Sequence, residues 1–190
     1  QNFIVLPQDT PSEGAAADLQ LAAHELFHVF SRRKGRGMDA VYQVFNFVPI
    51  KPLKWPEDWK KLRISNPDAP DNRHAIVLKT QGVSKKYIPL LVARKIPDGK
   101  TETFFDVLDV RLVPVIEDDT HSIVERTNGE IKWIDALQSE NYFQSTGGNT
   151  GYLFHPEEIA ADNFSFLVTG KKVPNPDLLK KLSKALSSIQ

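Results

Sequence analysis

The chain has 190 residues, 41% of them hydrophobic, with 24 basic and 24 acidic side chains and no cysteine. That length fits one domain over residues 1–190. The charge balance argues against a nucleic-acid surface. The missing thiols rule out a disulfide framework and a cysteine-rich zinc finger, and no run nears the roughly 20 apolar residues of a membrane span.

Residues 1–6 do not resemble a signal peptide, and the chain starts with Gln1 rather than Met. The expectation is a processed chain of secreted or periplasmic origin, with the cytoplasm also compatible. Thr10-Pro11-Ser12-Glu13 then reads as a capping box with proline at the first helical position. Ala16, Leu19, Ala23, Leu26, Phe27 and Phe30 follow helical spacing. Ser31-Arg32-Arg33-Lys34 puts positive charge at the carboxyl end of this helix, and Gly35 and Gly37 stop it.

Residues 40–50 read as a strand. Residues 51–72 read as a long loop with one helical turn after Pro56, in which Trp55 and Trp59 anchor the loop to the core or, alternatively, line a substrate cleft. Residues 75–80, 87–96 and 103–116 are rich in Val, Ile, Leu and Phe and predict strands. Pro97-Asp98-Gly99-Lys100 has the residues of a hairpin turn. Pro89 and Pro114 suggest edge strands or bulges. Residues 122–126 and 130–134 predict a second hairpin around Thr127-Asn128-Gly129. Two helices close the chain, one from His155-Pro156 to about Val168 and one opened by Asn175-Pro176. Leu178, Leu179, Leu182, Leu186 and Ile189 form the packed stripe of the last.

The first helix carries the pentad His24-Glu25-Leu26-Phe27-His28. Side chains four apart share a helix face, so both imidazoles can turn a nitrogen toward one metal ion. Glu25 stands about 100° further round the axis, placed to take a proton from a water beside that ion. The spacing is that of zinc metallopeptidases. A catalytic zinc takes three protein ligands and leaves one position open. Glu158-Ile159-Ala160-Ala161-Asp162 offers the third ligand, Glu158, with Asp162 one turn on to accept the far N–H of a ligating histidine. Glu157 is the rival ligand. First-turn glutamates also suit a helix start without any metal.

Together, His24-Glu25-x-x-His28 and Glu158-x-x-x-Asp162 resemble the gluzincin zinc peptidases. More narrowly, Asn149-Thr150-Gly151-Tyr152 and the run from His155 to Phe164 resemble a segment of little-characterised bacterial HExxH proteins. The resemblance implies His24, His28 and Glu158 as Zn2+ ligands, Glu25 as general base and Asp162 as the outer partner of a ligand histidine. It implies an α+β, zincin-like fold: an active-site helix, a mostly antiparallel sheet and C-terminal helices.

The chain departs from the gluzincin pattern in two respects. Some 130 residues, holding the whole predicted sheet, separate His28 from Glu158, and only a short segment precedes the first helix. Either the insertion supplies the sheet, or an N-terminal part lies outside this chain.

The expected activity is zinc-dependent hydrolysis of a peptide or protein substrate, with Tyr152 as the first candidate donor to the oxyanion and His155 as the second. His74 and His121 are weaker candidates. The alternatives are a catalytically inactive zinc-binding scaffold or interaction domain, and a binding domain in which the pentad is accidental.

Overall fold

The computed structural model describes residue 4 and residues 14–60, 64–80, 82–94 and 107–189. Helix α1 spans Ala15–Lys34 and buries Ala23, Phe27, His28 and Ser31 along one face. Arg32, Arg33 and Lys34 fill its last turn, and Gly35 ends it at φ 50°. The expected capping box at Thr10–Glu13 lies outside the described residues, as does the turn expected at residues 97–100.

A tight 3-10 turn, Gly35–Met38, leads into the short helix α2, Asp39–Gln43. The strand expected over residues 40–50 is therefore corrected. Val41, Tyr42 and Phe45 are buried at helical spacing, and Asn46 breaks the chain at φ 63°. Only Phe47–Pro49 is strand, β1. Burial of one helical face outweighs the weak strand preference of isolated valines.

Next come β2 (Leu53–Lys54), the helical turn α3 (Glu57–Lys60), β3 (His74–Thr80), β4 (Val83–Ala93), β5 (Leu108–Glu117), β6 (Ser122–Val124) and β7 (Ile134–Asp135). They form one seven-stranded sheet in the order β1-β3-β4-β5-β6-β2, with β7 also on β5. Every pairing is antiparallel except β2 with β6. Helix α4 (Glu140–Ser145), unforeseen in the sequence, precedes α5 (Pro156–Thr169) and α6 (Pro176–Ser187).

The period of two along the strands sorts their side chains onto two faces. Ile76, Leu78, Tyr87, Val110 and Leu112 pack with Phe27, Val41, Tyr142, Ile159 and Leu182 from the helices. Ala75, Ile88, Leu90, Val113 and Val115 pack on the other face with Trp59, and Trp55 lies against that cluster. Trp59 is buried in that cluster as a loop anchor, whereas Trp55 packs on it and also lines a surface cleft.

Pro89 and Pro114 stand in the central strands β4 and β5, not on edges. The ladder from β3 ends at the Ile76–Tyr87 pair. Beyond it, among the described residues, no strand pairs with the outer side of β4, and the Leu91 carbonyl there accepts from the Ile64 N–H at 2.9 Å. The Pro114 carbonyl accepts from Glu125 at 2.9 Å, just past the end of the β5–β6 register at Val115–Val124. Each ring thus sits where a neighbouring ladder lapses, so the missing N–H costs no bond.

The second hairpin is corrected in its far arm. Thr127 and Glu130 exchange backbone bonds of 2.8 and 3.1 Å around Asn128 and Gly129, whose φ angles are 53° and 82°. The chain then leaves β6, and Ile134 pairs with Leu112 of β5 instead.

The architecture is α+β, with an antiparallel-rich sheet and C-terminal helices. The insertion between the pentad and Glu158 contains all of the described strands. Among the described residues, no helix is long and apolar enough to cross a membrane.

Candidate metal centre

Two helices build the site. Helix α5 starts at His155, whose Nδ1 accepts the Glu157 N–H at 3.1 Å, with Pro156 in the first turn. This start places Glu157 and Glu158 in the first turn and Asp162 one turn later. Ile159, Ala160 and Ala161 are wholly buried in the helix-side core. Phe27 of α1 and Phe164 of α5 bring their rings to 5.5 Å, which sets the two helices side by side.

His24, His28 and Glu158 converge. Nε2 of His24 lies 3.1 Å and Nε2 of His28 3.5 Å from the same oxygen, Oε2 of Glu158. A tetrahedral zinc with ligands at about 2.0–2.1 Å has edges of about 3.3 Å, so the spacing fits such an ion. The far nitrogens are also engaged. Nδ1 of His24 donates to Asp162 at 2.9 Å, and Nδ1 of His28 donates to Glu157 at 2.9 Å.

A neutral imidazole has one N–H. With that proton held at Nδ1, each Nε2 turns a lone pair toward a carboxylate oxygen, which is repulsive unless a proton or a cation lies between them. Burial lowers the pKa of His24, but the bonds to Asp162 and Glu158 outweigh it and raise it to about 9. Burial likewise lowers that of His28, and Glu157 and Glu158 outweigh it and raise it to about 10. Burial raises the Glu158 pKa, yet the two histidines and Asn66 hold it well below the usual carboxylate range. These groups call for positive charge at the convergence point. Two imidazoles and one carboxylate are a donor set that suits zinc.

Glu157, the rival ligand, faces Nδ1 of His28 and not the point where the two Nε2 atoms meet Glu158. Besides His28 it accepts from the hydroxyls of Ser31 and Tyr42. Burial, then the carboxylate of Glu157, pushes the Tyr42 phenol far above its ordinary pKa, so it stays a donor. Asp162 is held in the same way by the Thr150 hydroxyl, and Asn66 donates to the second oxygen of Glu158 at 2.6 Å. Glu25 is half-buried. Its carboxylate, a nitrogen of His28 and an oxygen of Asp68 lie within 4.8 Å of one another. Asp68 in turn pairs with Arg32 at 2.6 Å.

The Tyr152 ring lies 5.9 Å from that of His24 and is 38% exposed. Burial, then the charges of Glu158 and Asp162, raises its pKa to about 12, which keeps the phenol protonated at neutral pH. His155, the second candidate oxyanion donor, is placed as the N-cap of α5. Both ring nitrogens are engaged, Nδ1 by Glu157 N–H and Nε2 by the Asp71 carbonyl at 3.2 Å. Burial drives its pKa down to about 4, so it caps the helix as a neutral ring. His74 bonds Asp39 at 2.8 Å on β3, and His121 sits in an exposed turn against Thr120. A cleft of about 770 Å³ runs along the carboxyl end of α1, lined by Ser31, Arg32, Tyr42, Asp68, His74 and Glu157 among others.

Ser31 was within reach of the sequence, since it falls three and seven residues after the histidines on one helix face. Tyr42 and Asn66 carry no local signal of their roles. Comparison with protein-family models, with curated proteins and with solved structures finds no match for this chain.

Proposed function

We infer that the chain is a zinc-dependent peptidase of the gluzincin kind, acting on a peptide or protein substrate. His24, His28 and Glu158 would hold the ion. What carries this reading is that two imidazole nitrogens and one carboxylate oxygen meet at a single point, while both far nitrogens are already bonded to carboxyl groups. When bound, zinc supplies a Lewis acid that makes water a nucleophile near neutral pH.

The chain's own residues supply the remaining chemistry. Asp162 and Glu157 keep the Nδ1 protons in place, so each Nε2 stays a donor toward the ion. Glu25 takes the proton of the attacking water and passes it to the leaving amine. Tyr152 donates its phenolic hydrogen to the oxyanion that develops on the scissile carbonyl. The zincin-like reading of the fold rests on the same residues, with α1 and α5 side by side on one face of the sheet.

Elemental analysis of the purified chain tests the metal, and a diverse peptide mixture tests the activity. The expected result is one zinc per chain, absent from the His24→Ala/His28→Ala double variant. Cleavage should fall by about 10²–10⁴-fold in Glu25→Gln with zinc retained. Equal cleavage by Glu25→Gln would overturn the mechanism. Zinc without any cleavage would leave the scaffold reading.

A further inference from the structure

Each ligand histidine is backed by a carboxyl group, and that group is backed by hydroxyls. The longer of these two chains is the better buried. Glu157 is 3% exposed, Ser31 6% and Tyr42 8%. Glu157 Oε1 receives His28 Nδ1 and the Ser31 hydroxyl, whose one hydrogen is shared with the His28 carbonyl at 3.1 Å, and Oε2 receives the Tyr42 hydroxyl. The hydroxyls come from different places. Ser31 rides on α1, the helix that carries His28, whereas Tyr42 comes from α2 beyond the 3-10 turn. The Tyr42 ring is itself packed edge-on against His74 of β3 at 4.7 Å.

A carboxyl group swings about its side-chain torsions unless both oxygens are held. Here each oxygen has a hydroxyl donor in addition to the imidazole on Oε1. The carboxyl plane is fixed, and through it the tautomer and tilt of the His28 ring.

We propose that Tyr42 and Ser31 are positioning residues of the metal centre, acting on His28 through the carboxyl group of Glu157 rather than by binding the ion. This rests on the zinc reading above and extends it two bonds outward. Outer partners of ligand histidines change metal affinity by about 10–100-fold when removed. One step further out, the expected loss is about 10-fold for Tyr42→Phe and less for Ser31→Ala.

The test is zinc affinity by competition with a chromophoric chelator, on the full chain, with no activity assay involved. Wild type, Tyr42→Phe, Ser31→Ala, Glu157→Gln and the Tyr42→Phe/Glu157→Gln pair are compared. Tyr142→Phe is the control. That tyrosine is buried too, but its hydroxyl donates to the Leu153 carbonyl at 3.1 Å and to no carboxyl group of the centre.

The expected outcome is weaker zinc binding in Tyr42→Phe and unchanged binding in Tyr142→Phe. The effect of Tyr42→Phe should vanish when Glu157 is already Gln, because residues acting through one group are not additive. Ser31→Ala removes a single oxygen and repeats the test should Tyr42→Phe not fold. Tight zinc binding unchanged in Tyr42→Phe and Ser31→Ala overturns the proposal and leaves the metal reading standing. A loss that persists undiminished in the Glu157→Gln background also overturns it, since it would mark packing alone. A wild-type chain that binds no zinc overturns both.

Discussion

His24 and Asp162, on two helices far apart in sequence, meet with Nδ1 of the imidazole 2.9 Å from Oδ1 of the carboxyl group. The other oxygen of Asp162 takes the Thr150 hydroxyl, so the group is held from the loop before α5 as well. Asp162→Ala should weaken zinc binding by about 10–100-fold. Asp162→Asn should cost less, because the amide oxygen can still accept the Nδ1 proton. Chelator competition measures both. Equal affinities in all three chains would show that this contact does not orient His24.

The metal-free and metal-loaded chains should respond differently to rising pH. Without metal, the folded-state pKa values of His24 and His28 are raised to about 9 and about 10 from an ordinary 6.5. Their contribution to stability is fully present below about pH 6.5 and is lost as pH rises through 9 and 10. Glu158 works in the other direction. Its lowered pKa adds stability above the usual carboxylate range and loses it on acidification. The melting temperature of the metal-free chain should therefore peak between about pH 5 and 6.5 and decline by several degrees toward pH 10. The zinc-loaded chain, whose ligand histidines are neutral, should not decline over that range. At pH 7, zinc binding should release about two protons, read from calorimetry in buffers of different ionisation enthalpy. Release of none would contradict the charged state assigned to the pair.

Tyr152 should act on the reaction and not on the metal. Loss of one oxyanion donor costs about 10²–10³ in kcat. Tyr152→Phe should lose this much in kcat, with KM little changed and zinc content equal to wild type. A lower zinc content in the variant would reassign the ring, which sits 5.9 Å from that of His24, to support of the centre.

Gly147 sets the loop that delivers Thr150 and Tyr152. Its φ is 97°, and a Cβ there would come within 2.3 Å of Leu178 on α6. Gly147→Ala should cost about 1–3 kcal/mol from the backbone conformation alone, visible in urea unfolding. Gly151→Ala, with nothing near its Cβ and no left-handed φ, is the comparison and should be close to neutral.

Much of the centre was legible in the one-dimensional pattern because it is local. His24 and His28 lie one helical turn apart, as do Glu158 and Asp162, and helical periodicity alone puts each pair on one face. The closing helices were legible for the same reason, since Asn175-Pro176 and the leucine stripe are short-range signals. Residues 40–50 misled because valines and phenylalanines suit a strand as well as a buried helical turn. Which of the two wins depends on the face they meet, here the helix side of the sheet.

Only tertiary structure could bring α5 against α1 across an insertion that holds every described strand, and so decide whether the two local pairs share one point in space. It also decided the role of Glu157. Its neighbour Glu158 turns toward both Nε2 atoms while Glu157 turns toward Nδ1 of His28, Ser31 and Tyr42. Adjacent residues on a helix point about 100° apart. The direction of each is therefore useful only relative to partners more than a hundred residues away, and no local pattern encodes that alignment.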